Sequence, residues 1–258
     1  MTNTCKNCGI KFNGNFCNQC GQKNNPGRFS FKHIFEEVFH AFTHADKGFL
    51  SILAKMAIDP GKVAYEYIVE EKRKKYFNLF TFFVLITAIA AFVENKDLAM
   101  QERVFHTNNE YGQLFNIYSK GLLIITIPIL AAFLWLINHR KNGLMFSEYT
   151  VFAMVLMSVK SMVDIIVKSF NYLGTAFFSR QGDLDNNIGY AIFLIAIMSY
   201  ANYSFHKNLR QGSIPKSLLT GICFCAIQAG ISIFIVWAVL NDFKGVGIFD
   251  MYGIRFSG

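Results

Sequence analysis

Five apolar runs, roughly Tyr76–Val93, Gly121–Ile137, Ser147–Lys168, Ile188–Phe205 and Leu218–Leu240, constrain this chain more than any other feature. At 1.5 Å per helical residue, ~18 to 23 residues reach ~27 to 35 Å, matching a hydrocarbon core of ~30 Å. In lipid each backbone amide and carbonyl needs a partner within the protein, so segments of this kind fold as helices. The expectation is an all-α membrane protein with about five transmembrane helices. Composition agrees, since 53% of residues are hydrophobic and only 16% charged, against about a quarter charged in soluble chains. The second run is short and carries Pro128, which a membrane helix tolerates through a kink, and the third and fourth contain several polar residues.

The formal net charge of +8 raises nucleic acid as a partner, and its placement argues against one. Twelve of the 25 Lys and Arg residues precede Tyr76, and Lys72, Arg73, Lys74 and Lys75 stand directly before the first run. That is the pattern of a basic flank at the cytoplasmic membrane surface. The short segments 138–148, with Arg140 and Lys141, and 206–217, with Lys207, Arg210 and Lys216, are also basic. Segments 94–120 and 169–187 are longer, more dilute in positive charge and mixed with Asp and Glu. Five crossings and this bias place the N-terminus in the cytoplasm and the C-terminus outside the inner membrane. Residues 1–28 lack the apolar stretch of a secretory signal, so insertion is expected to begin at the first span. No internal repeat supports an inverted-repeat transporter.

Between residues 29 and 75 lie shorter amphipathic pieces. Ser30 is a candidate N-cap, and Phe31, Ile34, Phe35, Val38, Phe39 and Phe42 follow with helical spacing. The opposite face holds Lys32, His33, Glu36, Glu37, His40 and His44. Phe49–Ile58 is apolar, and Asp59-Pro60 reads as an N-cap followed by proline at the first helical position. These pieces are too short or too polar to span, which predicts helices lying at the cytoplasmic interface.

Residues 1–28 show neither helical nor strand periodicity. They contain Cys5-Lys6-Asn7-Cys8-Gly9 and Cys17-Asn18-Gln19-Cys20-Gly21, two C-x-x-C-G units eight residues apart. Each unit can wrap two thiolates around one ion, the glycine permitting the tight turn. Together they supply the four soft ligands of a tetrahedral structural zinc site. In a reducing cytoplasm such pairs more often bind metal than form disulfides. Four protein ligands leave no open position for catalysis. Unliganded or redox-paired cysteines are the plainer alternative, but so small a module has little else to hold it folded.

Lys160, Asp164 and Lys168 recur every four residues in the third run, on one face of its helix. Ionisable groups at mid-bilayer cost ~2.5–3.5 kcal/mol each on insertion scales, so they face a partner or a wet cavity. Two readings stand: a polar pathway or pocket, or a Lys160–Asp164 pair that locks helices together while Lys168 extends towards the surface. His33, His40 and His44 are either metal ligands or a solvated face. Cys223 and Cys225 read as small packing residues, and Tyr200, Asn202, Tyr203 and Gln228 as hydrogen-bonding groups between helices. None of the common hydrolase, metalloprotease or nucleotide-binding motifs occurs.

The stretch from Cys5 to about Val84 resembles a bacterial membrane family known as domain of unknown function 3667. The resemblance rests on the double knuckle ending Cys20-Gly21-Gln22-Lys23, then Asp46-Lys47-Gly48-Phe49-Leu50, Asp59-Pro60-Gly61-Lys62, Tyr67, and Lys72-Arg73-Lys74 with Tyr76-Phe77-Asn78. Glu71 stands where that pattern has glycine, and Leu79 where it has proline. The resemblance implies a zinc-ribbon membrane protein and no particular activity.

The expected organisation is therefore a zinc ribbon and linker (1–28), cytoplasmic interfacial helices with a basic flank (29–75) and a transmembrane domain (76–258). The leading functional expectation is a non-enzymatic scaffold whose ribbon and amphipathic region dock a protein partner, with no nucleic acid involved. A small transporter or channel using Lys160 and Asp164 is the second, and a lipid- or envelope-modifying enzyme the third.

Overall fold

The chain opens by folding Lys11 and Phe12 back onto Asn3 and Thr4. This gives the antiparallel strands β1 (Asn3–Thr4) and β2 (Lys11–Phe12) in the register Asn3↔Phe12 and Thr4↔Lys11. A computed structural model describes residues 3–24, 48–105, 126–138, 143–178 and 188–240, with side chains in the last stretch through Phe234. The expected helix from Ser30, with His33, His40 and His44, lies outside the described residues, as do Gly121–Ile125, Arg140 and Lys141.

After the ribbon come α1 (Phe49–Ile58) and α2 (Pro60–Ile68). Asp59 caps α2 by accepting the Lys62 N–H at 2.9 Å, with Pro60 next to it at the start of the helix, as the Asp-Pro pair predicts. A short 3-10 turn, Arg73–Lys75, leads into α3 (Leu79–Phe105), which Asn78 caps through the Phe80 and Thr81 N–H groups. The remaining helices are α4 (Thr126–Asn138), α5 (Phe146–Phe178), α6 (Ile188–Asn208) and α7 (Ile214–Leu240). Glu148 reaches back to the Met145 N–H at 2.7 Å and closes the N-terminus of α5.

Helix α5 is the central element. Every residue from Ser147 to Val159 is buried, because α3 packs along it, α4 contributes Leu130 and Leu134 to the same core, and α6 crosses it at the stacked rings of Phe152 and Phe205, 4.3 Å apart. The opposite faces carry large apolar side chains with helical spacing: Leu85, Ile89 and Phe92 on α3, and Ile166, Phe170, Leu173 and Phe177 on α5. Exposed stripes this large fit a lipid environment. Among the described residues, four helices are long and apolar enough to cross a membrane: the segment containing α3, and α5, α6 and α7. The chain thus has a helical, multi-pass membrane architecture with a four-cysteine cluster at its N-terminus.

Four of the five expected crossings are described at spanning length; of the second apolar run, the described part is α4, Thr126–Asn138. Two expectations need adjusting. First, α2 does not present itself as a surface helix. Seven of its nine residues are buried, because it packs on α6 and α5. Gly61 is where α2 meets α6, since a Cβ there would lie 2.3 Å from the Ala201 carbonyl oxygen and 2.5 Å from the Phe205 nitrogen. Finally, α3 and α5 outrun their apolar stretches. Residues 94–105 and 169–178, expected as loop, are helical. The two helices run parallel and support each other past the apolar region, with Asp97 fully buried between them.

Candidate metal centre and its seat on the helices

The two C-x-x-C-G units fold alike. Cys5 N–H donates to the Ile10 carbonyl and Gly9 N–H to the Cys5 carbonyl, each at 2.9 Å; Cys17–Gln22 and Gly21–Cys17 repeat both bonds at 2.8 Å. Gly9 and Gly21 occupy left-handed backbone (φ +76° and +70°), the conformation that lets each turn close around its sulfurs. The sulfurs of Cys5, Cys8, Cys17 and Cys20 all lie within 4.8 Å of one another, with Cys5–Cys20 at 3.5 Å and Cys8–Cys17 at 3.6 Å. Disulfides need ~2.05 Å. A tetrahedron of metal–sulfur bonds of ~2.3 Å has edges of ~3.8 Å, so the cluster fits one metal ion.

Electrostatics point the same way. Burial opposes ionisation of Cys5, but the N–H groups of Cys8 and Asn7 and the sulfurs of Cys20 and Cys8 bring its thiol below the ordinary value. At Cys8 the Ile10 N–H acts downward, yet desolvation and the sulfurs of Cys17, Cys5 and Cys20 prevail and push it up to about 12. The Cys5 thiolate forms readily and Cys8 resists following, and a cation among the sulfurs removes that resistance. When bound, the ion would cross-link two turns that share almost no core, since the buried hydrophobic residues described there are Cys5, Phe12 and Cys17, with Cys20 packed against them.

The ribbon is seated on the segment that leads into α3. Gln22, 3% exposed, follows the second knuckle directly. Its Nε2 donates to the Glu71 carbonyl at 2.6 Å, and its Oε1 accepts the Lys74 N–H at 3.3 Å. Lys6, inside the first knuckle, pairs with the Glu71 carboxylate at 2.7 Å. Glu71 is itself left-handed (φ +56°), where the Lys72 N–H turns back to the Glu66 carbonyl at 3.0 Å beyond the end of α2. Glycine favours such positions after a helix. Glu71 thus keeps a backbone that glycine adopts readily and adds a carboxylate that binds the ribbon.

The basic flank is largely answered by acids. Lys72 pairs with Glu70 at 2.5 Å, and Lys75 with Glu66, which also accepts from the Tyr76 hydroxyl at 2.6 Å. Lys55 and Lys75 both lie over the Tyr76 ring, 5.1 and 5.3 Å from its centre. Burial alone pushes the Glu66 carboxyl up, but the hydrogen bonds from Lys75 and Tyr76 outweigh it and hold the group below its ordinary range. Lys72–Lys75 therefore joins ribbon, α2 and α3 as well as standing at a helix start.

The charged residues of α5 also have partners. Lys160 donates to Asp164 at 2.6 Å, and Tyr190 of α6 donates to the other carboxylate oxygen. Lys168 lies 3.9 Å from the buried Asp97 of α3, and Ser161 is 3.4 Å from Thr87. Asn202 donates to Ser217 at 3.2 Å, Gln228 to the Met157 sulfur at 3.3 Å, and Tyr200 to the Ile58 carbonyl at 3.4 Å, so these three do bridge separate helices. Cys223 and Cys225 are free, partly buried and outside the metal cluster.

Sequence reasoning assigned no structural role to Gln22, Glu66, Glu71, Asp97 or Tyr190. The resemblance, whose pattern has glycine where this chain has Glu71, offered a signal for a left-handed residue. No comparable signal marks Gln22 or Tyr190. Comparison with protein-family models, curated proteins and solved structures returned no match. What the site can do is therefore read from its own geometry.

Proposed function

We propose that this protein is a non-enzymatic scaffold of the bacterial inner membrane whose cytoplasmic ribbon holds one structural zinc ion and docks a protein partner. The observation that carries this reading is the closed set of four sulfurs on a module fastened to the entrance of the first span. Four thiolates satisfy tetrahedral zinc and leave no position for substrate. The resemblance to domain of unknown function 3667 supports the same ribbon-plus-membrane design. Ile10 and Phe16, the latter 63% exposed, offer apolar ribbon surface to a partner. Lys207 at the end of α6, Arg210 in the turn that follows and Lys216 at the start of α7 lie on the side that the positive-inside rule assigns to the cytoplasm together with the ribbon, leaving the C-terminus outside.

Affinity purification from mild detergent tests the proposal. A stoichiometric protein partner is expected with the wild type and lost with Cys17→Ser/Cys20→Ser. Recovery of no partner, or equal recovery with both chains, contradicts it.

A second reading, a small transporter or channel, draws support from Asp97. It supplies a fully buried acid beside Lys168, one helix away from the half-buried Lys160 and Asp164. Reconstituted vesicles would then show a flux that Asp164→Asn abolishes, and an unchanged flux removes the pair from the mechanism.

A further inference from the structure

We infer that metal binding in the ribbon controls the order of the segment Glu70–Tyr76, with Gln22 as the latch between them. This deepens the proposed reading of the ribbon and rests on the cluster's capacity for a metal. The inference starts from where Gln22 sits. Its carbonyl accepts the Cys17 N–H at 2.8 Å, so its backbone belongs to the turn that wraps the ion, while its side chain holds Glu71 and Lys74. A single residue thus shares its bonds between the metal turn and the entrance to α3.

Without an ion the ribbon has little left to keep that shape. Its buried apolar content is Cys5, Phe12 and Cys17, and its strands are two residues each. Modules this small depend on metal to fold. Loss of the turn removes both Gln22 hydrogen bonds and the Lys6–Glu71 pair together. Those three contacts link the ribbon to the helices, and all three converge on Glu71 and Lys74.

The receiving segment depends on them in turn. Glu71 is a non-glycine residue in left-handed backbone, a conformation that persists where surrounding contacts enforce it. The next residues carry the Lys72–Glu70 and Lys75–Glu66 pairs, and Glu66 belongs to α2, whose Gly61 is wedged against α6. The path from sulfur cluster to helices is therefore continuous: Cys17 turn, Gln22, Lys74, Lys75, Glu66, α2. The spans themselves are held by their own apolar contacts and do not need the ribbon to stay folded. What the metal governs is the joint.

Hydrogen exchange on the full-length protein in nanodiscs tests this, with metal content measured on the same samples. Three chains are compared: wild type with zinc, wild type after chelation, and Gln22→Ala with zinc. Exchange across residues 70–76 is expected to rise about tenfold or more on chelation, and by a similar factor in Gln22→Ala while its zinc content stays at the wild-type level. A Glu71→Gly chain separates the latch from the ion pair. It keeps both backbone partners of Gln22 and should retain most of the protection. Zinc bound at wild-type level with 70–76 indifferent to both chelation and Gln22→Ala overturns the latch alone. Failure of the wild type to bind zinc or any other divalent metal overturns the ribbon reading and the latch together.

Discussion

The ribbon and the helices are stabilised by different means within one chain. In the ribbon, buried residues amount to Cys5, Phe12, Cys17 and Gln22, and the four sulfurs supply what cohesion the core does not. In the helical part a continuous apolar core runs from Ile52 to Phe224, with α5 at its centre. On the reading proposed above, the first region is conditional on an ion and the second is not. Between them lies a segment of polar contacts, Glu70 to Lys75, neither apolar core nor metal site. It is the natural place for a change in one region to be felt, or not felt, by the other.

The largest expected effect breaks the ribbon and spares the helices. Structural zinc contributes ~10–16 kcal/mol to small modules of this kind, so Cys17→Ser should leave residues 3–24 unfolded. Limited proteolysis is expected to remove that segment while α3 and α5 survive intact. Simultaneous degradation of both would mean that the helices need the ribbon.

A smaller effect acts inside the helices. Removing one member of a buried charge pair costs about 3–5 kcal/mol, whereas replacing both with apolar groups is often neutral. Asp97→Leu should therefore destabilise the bundle in detergent unfolding, and Asp97→Leu/Lys168→Met should recover most of the loss. Metal content should stay unchanged in both. Failure of the double substitution to recover would point to a role for these charges beyond holding α3 against α5.

Gly61→Ala sharpens the comparison at the junction of α2 and α6. The new Cβ would meet backbone atoms at 2.3 and 2.5 Å, which cannot yield by a rotamer change. Overpacking of this kind costs about 1–3 kcal/mol. A lowered melting temperature with full metal occupancy is expected, and an unchanged one would show that α2 shifts freely.

The smallest effect is on pH dependence. The Glu66 carboxyl is held below its ordinary range, so its contribution is fully present above that range and is lost as pH falls through the folded-state value. Between pH 7 and 5 the difference in stability between wild type and Glu66→Gln should be constant, and it should shrink only at lower pH. Taking the difference cancels acid release of the metal, which affects both chains alike. A difference that shrinks already above pH 5 would contradict the assignment of Lys75 and Tyr76 as its partners.

Legibility in the sequence followed the same division. Two C-x-x-C-G units at close spacing announce a cluster because ligand chemistry is local, and Asp59-Pro60 announces a helix start for the same reason. Long apolar runs announce spans, but not where helices end. Residues 94–97 look like loop until Asp97 is seen packed between α3 and α5. The buried apolar stripe of α2 is Val63, Ala64, Tyr67 and Ile68. Such a stripe cannot say whether it faces lipid or protein, since lipid tails and apolar side chains are chemically alike. Gln22 and Tyr190 were illegible because their roles depend on which segment packing brings opposite them.

Elemental analysis of the detergent-purified full-length chain bears most directly on the central claim. One zinc ion per chain is predicted for the wild type and none for Cys17→Ser/Cys20→Ser, both chains eluting as helical, micelle-bound protein. A wild type that carries no metal, yet protects residues 3–24 from protease as well as a zinc-supplemented sample does, would contradict it.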